Sequence, residues 1–293
     1  WNFWDMSYGT RIGYRYARQF PDRTRALVLD GSIAPNETLI YRGSQGAYKY
    51  AQSAAAFGAA AGPEYAIKLR RIGETLNHRT VMINGREQTR WNALADIYVN
   101  ISNESVWSWL KGRIDRLYSA LFPAQATRAQ RSARTHRASS TEDRVSQRYL
   151  IDMVNCADVR DRPSLDQISG AMAGAYASNT VQAALDALSR GTQCEGLPSD
   201  FAPRLPYLTK PLQLPVPPAV LQSYGDSRTP WTGGRQMASY LAGAALISYE
   251  GTQHVAYMRT NSSCVNDTIT RYLLTAEVPA SRTCPYASPR KVN

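Results

Sequence analysis

Apolar positions along this chain follow two different rhythms. Residues 1–4 and 25–29 are short, nearly continuous apolar runs that read as buried strands. Between them Ile12, Tyr16 and Phe20 recur every fourth position, which predicts a helix with those three side chains on one face. Pro21-Asp22 stops that helix, and Asp30-Gly31 closes the second strand. Strand, turn, helix and strand within about thirty residues make a βαβ unit, the building block of parallel sheets. After Pro35 the rhythm changes. From about Tyr41 to Asp200 it is mostly helical, with helices predicted over 46–58, 63–76, 91–100, 106–121, 144–155 and 165–189, and with breaks such as Asn84-Gly85.

Pro203, Pro206, Pro211, Pro215, Pro217 and Pro218 mark an extended passage out of this block. The strand pattern then resumes. Residues 219–224 form a strand that ends at Gly225-Asp226, and 245–249 form another that ends at Glu250-Gly251. Thr232 is placed to cap a helix running to about Ala242, with Met237, Tyr240 and Leu241 on its apolar face. A last helix is predicted over 265–274. The chain therefore reads as an α/β protein in three parts: sheet over 1–35, a large helical insertion over 36–211, and sheet again over 212–293.

Hydrophobic residues make up 43% of the chain and charged residues 19%, a globular balance that excludes a disordered polymer. No run approaches the ~18 apolar residues of a membrane helix, so no membrane span is expected. Lys plus Arg exceed Asp plus Glu by 34 − 23 = 11, and the excess is dispersed apart from Arg128, Arg131, Arg134, Arg137, Arg144 and Arg148. That stretch carries no aromatic residue on which bases would stack, so it reads as a solvated face and not as a nucleic-acid site. Dinucleotide-binding, Walker and His-Glu-x-x-His patterns are absent and no cysteines fall in a C-x-x-C pair, so neither cofactor nor metal is expected. Trp1 opens directly into strand-like residues, and the chain is expected to begin inside a domain.

Three segments carry candidate chemistry. Asp5-Met6-Ser7-Tyr8-Gly9 lies between a strand and a helix, where a sharp turn lifts a serine hydroxyl clear of the backbone. Asp226 follows a strand, and the carboxyl ends of parallel strands are where such folds gather reactive groups. His254 follows the next strand. A serine hydroxyl becomes a nucleophile when a neutral imidazole takes its proton, and a carboxylate must orient that imidazole. Of the three histidines, His78 lies in the helical block and His136 in the arginine stretch; His254 alone sits in a strand-end loop after both Ser7 and Asp226. Serine, acid, histidine is the chain order of α/β-hydrolases. Asp30, at the end of the preceding strand, is an alternative acid. Cys156, Cys194, Cys264 and Cys284 allow three pairings; their spacing suggests two local loops, 156 with 194 and 264 with 284, in an oxidising compartment.

These segments resemble a known family. Ser7-Tyr-Gly-Thr10, Phe20-Pro-Asp-Arg23 and Val28-Leu-Asp-Gly31 look like the nucleophile region of the tripeptidyl aminopeptidase branch of α/β-hydrolases, with proline iminopeptidases as more distant relatives. Asn155-Cys156-Ala-Asp158, Gly225-Asp226, Thr229-Pro230, His254, Cys264, Tyr272-Leu-Leu274, Pro279 and Cys284 are similar to later parts of the family. The resemblance implies an exported serine exopeptidase, extracellular or periplasmic, that removes short peptides from free N-termini beneath a helical lid. It implies Ser7 as nucleophile, Asp226 as acid, His254 as base, the backbone N–H of Tyr8 as an oxyanion donor, and the two local disulfides. It also implies that the first half of the sheet, with the second oxyanion donor, precedes Trp1, so that the isolated 293 residues fold poorly and turn over slowly. Asp5 stands where the family has glycine, and its carboxylate is expected to crowd the turn or to add negative charge near the oxyanion. A carboxylester hydrolase with the same triad, and a non-catalytic peptide-binding homologue, are the alternative functions.

Overall fold

The computed structural model describes residues 1–123, 150, 152–159, 162–178, 181–197 and 210–287. The arginine-rich stretch, His136, Pro203 and Pro206 lie outside the described residues. Five parallel strands form one sheet in the order β1-β2-β5-β6-β7, from β1 (Asn2–Met6), β2 (Ala26–Asp30), β5 (Ala219–Ser223), β6 (Ala245–Tyr249) and β7 (Arg282–Cys284). Strands adjacent in space thus come from opposite ends of the chain: β2 pairs with β5, Asp30 in register with Leu221.

Helices cover both faces of this sheet, and the alternation along β2 shows how. Ala26 and Val28 point into a core with Val265, Ile269 and Tyr272 of α10 (Ser263–Thr275). Leu27 and Leu29 point the other way, into a core with Tyr14 and Ala17 of α1 (Gly9–Gln19) and Met237 of α9 (Trp231–Ser239). A strand buried on both faces is the signature of a parallel sheet between helical layers. The fold is that of an α/β-hydrolase, as the sequence pattern predicts.

Two helix readings need correction. The face of α1 that the sheet buries is Thr10, Arg11, Gly13, Tyr14 and Ala17, whereas Ile12 is 57% exposed. The four-residue stripe is real but lies at the rim, where Tyr16 packs between Phe3 and Phe20 with ring centroids 4.7 and 5.0 Å away. α9 begins at Trp231 with Pro230 as its N-cap, so Thr232 lies in the first turn and does not cap it. Proline suits a helix start because its φ is preset and its missing N–H would have had no partner there.

Between β2 and β5 the chain is mostly helical: α2 (Leu39–Ala61), α3 (Glu64–Thr75), α4 (Arg90–Ile101), α5 (Trp107–Leu121), α6 (152–158), α7 (Leu165–Ser178) and α8 (Val181–Thr192). Phe57, Ile72, Ile97, Ile101, Leu110, Ile114 and Leu117 give α2 to α5 a core of their own, separate from the sheet. The Asn84-Gly85 break does separate two helices, α3 and α4, and takes the form of a hairpin turn. It joins antiparallel β3 (Val81–Ile83) and β4 (Arg86–Gln88), with φ of 54° at Asn84 and 72° at Gly85. Positive φ at both central residues is what a tight two-residue hairpin requires.

Candidate active site

Because the strands are parallel, β1, β2, β5 and β6 all end on one edge of the sheet, and the four loops that leave them meet there. Ser7 is the first residue after β1 and has φ of 53°, a left-handed conformation uncommon for a side chain with a Cβ. Three contacts hold it: its N–H donates to the Asp30 carbonyl at 2.9 Å, and its own carbonyl accepts from the Thr10 N–H at 3.0 Å and the Thr10 hydroxyl at 2.6 Å. The Thr10 hydroxyl in turn accepts from the Ile33 N–H at 3.1 Å, tying the turn to the loop after β2. Tyr8 is the N-cap of α1. The N–H groups of a helix's first turn have no partner within the helix and sit at its positive end.

Asp5 does not block this turn. Its carboxylate lies along α1 in space left by two glycines: a Cβ added at Gly13 would stand 1.8 Å from Asp5 Oδ2, and one at Gly9 would stand 3.7 Å from Oδ1. Burial pushes the Asp5 pKa up to about 6, and among the described residues Oδ2 has no hydrogen-bond partner. The folded chain therefore holds this proton more tightly than the unfolded chain. Stability is greatest while Asp5 is protonated, falls as pH rises from about 4 to about 6, and stays reduced above that. Asp5→Ala is expected to raise the melting temperature by several degrees at about pH 8 and by nothing below about pH 4. The full shift corresponds to about 3 kcal/mol, which partial exposure reduces to about 1–2 kcal/mol. Thermal melts across that range check it; an equal gain at both ends would refute the assignment.

Asp226 and His254 meet directly. His254 Nδ1 lies 2.8 Å from Asp226 Oδ2, and both side chains are buried. The carboxylate is further held by the Thr229 hydroxyl at 2.7 Å, the Thr229 N–H at 3.1 Å and the Arg228 N–H at 2.8 Å. Burial alone would raise the Asp226 pKa, but the charge and hydrogen bond of His254, with the Thr229 donors, bring it below the ordinary carboxylate value. With Nδ1 turned to the carboxylate, Nε2 is the nitrogen left to take a proton. The imidazole lies beside the loop that anchors Ser7: a Cβ added at Gly31 would stand 3.4 Å from His254 Cε1 and 3.1 Å from Thr229 Oγ1. Gly31 also has φ of 68°, so both space and backbone demand glycine there.

Asp30, the alternative acid, has a different position. Its carboxylate accepts the N–H groups of Ala256 and Tyr257, each at 3.0 Å, while its carbonyl accepts from Ser7. It joins the serine turn to the loop that follows His254, where Val255 has φ of 65°. Burial pushes its pKa up to about 7 against the two backbone donors.

The cysteines pair as the spacing suggests, 156 with 194 and 264 with 284, and none of the described cysteines is free. Closing loops of these lengths stabilises by about 3–4 kcal/mol each in the chain-entropy account. Cys284 lies in β7, so the second bridge ties the edge strand to α10. Near the first bridge, Asp158 accepts the Tyr8 hydroxyl at 2.6 Å and pairs with Arg15 at 2.8 Å and Arg11 at 3.8 Å. That carboxylate is thus already paired with the chain's own groups. Among the described residues no group of three or more His, Cys, Asp and Glu side chains is arranged to hold a metal, and no helix is long and apolar enough to cross a membrane.

Residues 181–284 match the family described as TAP-like protein. Two curated relatives, the serine protease Hip1 of Mycobacterium tuberculosis and that of Mycobacterium bovis, are 26% identical over 303 residues, covering 94% of this chain. The chain spans 56% of the length of those relatives. The match ends at Cys284, within the last strand of the sheet, and takes in both Asp226 and His254. Sheet order and sequence match agree: the chain has an α/β-hydrolase fold, and its residues 181–284 are similar to TAP-like proteins.

Proposed function

We propose that this chain carries the catalytic residues of a serine hydrolase that acts on peptides, with Ser7 as nucleophile, His254 as base and Asp226 as the orienting acid. The observation that carries this reading is the buried 2.8 Å contact between Asp226 and His254 Nδ1. In the proposed cycle Ser7 Oγ attacks the substrate carbonyl as its proton passes to His254 Nε2, and Asp226 stays ionised and stabilises the imidazolium. Negative charge moves to the carbonyl oxygen, facing the N–H of Tyr8 at the start of α1. Collapse expels the amine, which takes the proton from His254, and leaves an acyl-serine that water hydrolyses by the same relay.

The match to proteins named serine protease favours a peptide substrate, and the resemblance to tripeptidyl aminopeptidases favours release of short peptides from free N-termini. Residues 36–211 would cover the site as a helical lid. The two disulfides suit an extracellular or periplasmic location. A carboxylester hydrolase would use the same residues, so substrate decides between them. The full-length protein is expected to cleave a tripeptide anilide with a free amino group at least tenfold faster than its N-acetylated form, and faster than a short-chain ester. Preference for the ester, or indifference to acetylation, would overturn the exopeptidase reading.

A further inference from the structure

The loop that presents His254 is gripped by a turn from the distant helical segment. α4 ends at Ile101, and the next four residues, which enter a 3-10 turn at Glu104–Val106, lie against residues 252–254. The Ser102 carbonyl accepts the His254 N–H at 2.8 Å. The Asn103 side-chain oxygen accepts from Gln253 Nε2 at 3.1 Å, and the Ser105 N–H donates to Gln253 Oε1 at 3.4 Å. Glu104 Oε1 accepts two hydrogen bonds from Thr252, from its N–H and its hydroxyl, both at 2.8 Å.

Three consecutive residues that end at the imidazole are thus tied, one by one, to a turn roughly 150 positions earlier, and each lost bond would loosen a different part of the loop. Glu104 is the costliest member of this set. It is 3% exposed, and among the described residues Oε2 has no hydrogen-bond partner. A buried carboxylate with one orphan oxygen disfavours folding. The bonds it does make go to the residue two before His254.

We propose that Glu104 is a positioning residue: the turn at 102–105 braces the loop so that His254 keeps Nδ1 on Asp226 and Nε2 toward Ser7. This rests on the proposed catalytic roles of those three residues. The brace makes the seating of the helical segment on the sheet edge a condition for a competent imidazole. A second tie of the same kind reaches the acid's loop, where the Ser53 hydroxyl of α2 donates to the Gly225 carbonyl at 2.7 Å.

The test uses the full-length protein, with active sites counted by fluorophosphonate titration and assays run well below the melting temperature. Glu104→Ala is expected to lower kcat about 10- to 100-fold with KM unchanged within about twofold. Glu104→Gln, whose amide oxygen still accepts from Thr252, is expected to stay within about threefold of wild type. A merely structural staple would lower the melting temperature without changing kcat per titrated site. Wild-type kcat in Glu104→Ala, or equal loss in Glu104→Gln, would overturn the proposal. Should Glu104→Ala fail to fold, Thr252→Val removes one donor from the other side; a kcat drop of about three- to tenfold supports the brace, and an unchanged kcat overturns it. Ser7→Ala and His254→Ala separate the two readings. Turnover surviving in them defeats the catalytic assignment itself, whereas dead controls beside a fully active Glu104→Ala defeat the brace alone.

Discussion

Asp226→Asn is expected to lower kcat by about 10⁴-fold while changing the melting temperature by only a few degrees. Asparagine has nearly the same shape and can still accept from the Thr229 and Arg228 backbone N–H groups, so the loop keeps its form. In the proposed cycle, what it loses is the charge that fixes the imidazole with a proton on Nδ1 and that stabilises the imidazolium as Ser7 gives up its proton. The matching change at Asp30 should behave in the opposite way. Asp30 makes its hydrogen bonds to the Ala256 and Tyr257 N–H groups, so Asp30→Asn leaves one of those donors facing an amide N–H. That costs about 1–3 kcal/mol of stability but leaves kcat within about tenfold of wild type. Steady-state kinetics on both variants, with thermal melts, distinguish the two acids. An inactive Asp30→Asn beside an active Asp226→Asn would exchange their roles.

The parts of this site legible in the sequence are those set by local chain logic. A serine between a strand and a helix, an aspartate after a strand and a histidine after the next strand are each defined by a few neighbours and by their order. Parallel pairing then brings them to one edge, because all the strands must end on the same side. What could not be read depends on contacts between distant positions. Asp30 reads as a turn aspartate or an alternative acid until Ala256 and Tyr257, about 226 positions later, point their N–H groups at it. Glu104 lies between two predicted helices, with no periodic or motif signal, and its proposed role comes into view only through its contact with Thr252.

The corrections follow the same physics. The stripe of Ile12, Tyr16 and Phe20 has the period of a buried helical face, but the sheet selects the side carrying Gly13 and Ala17, whose small size permits close packing. Gly13 in particular makes room for the Asp5 carboxylate. The Asn84-Gly85 pair carried a usable hairpin signal, obscured by the helical residues on either side. β7 is three residues long, too short to show alternation, and is anchored by the Cys264–Cys284 bridge that the spacing had suggested.

The central claim is that Ser7, His254 and Asp226 act as one unit, and the most direct measurement is covalent labelling. A fluorophosphonate probe added to the folded full-length protein should form one adduct, mapped by peptide mass spectrometry to Ser7. Because the probe reports the reactivity of the serine itself, substrate preference does not enter. Labelling should vanish in Ser7→Ala and slow by at least about 10³-fold in His254→Ala. An adduct on another residue, or a folded protein whose Ser7 reacts no faster once His254 is present than without it, would contradict the account.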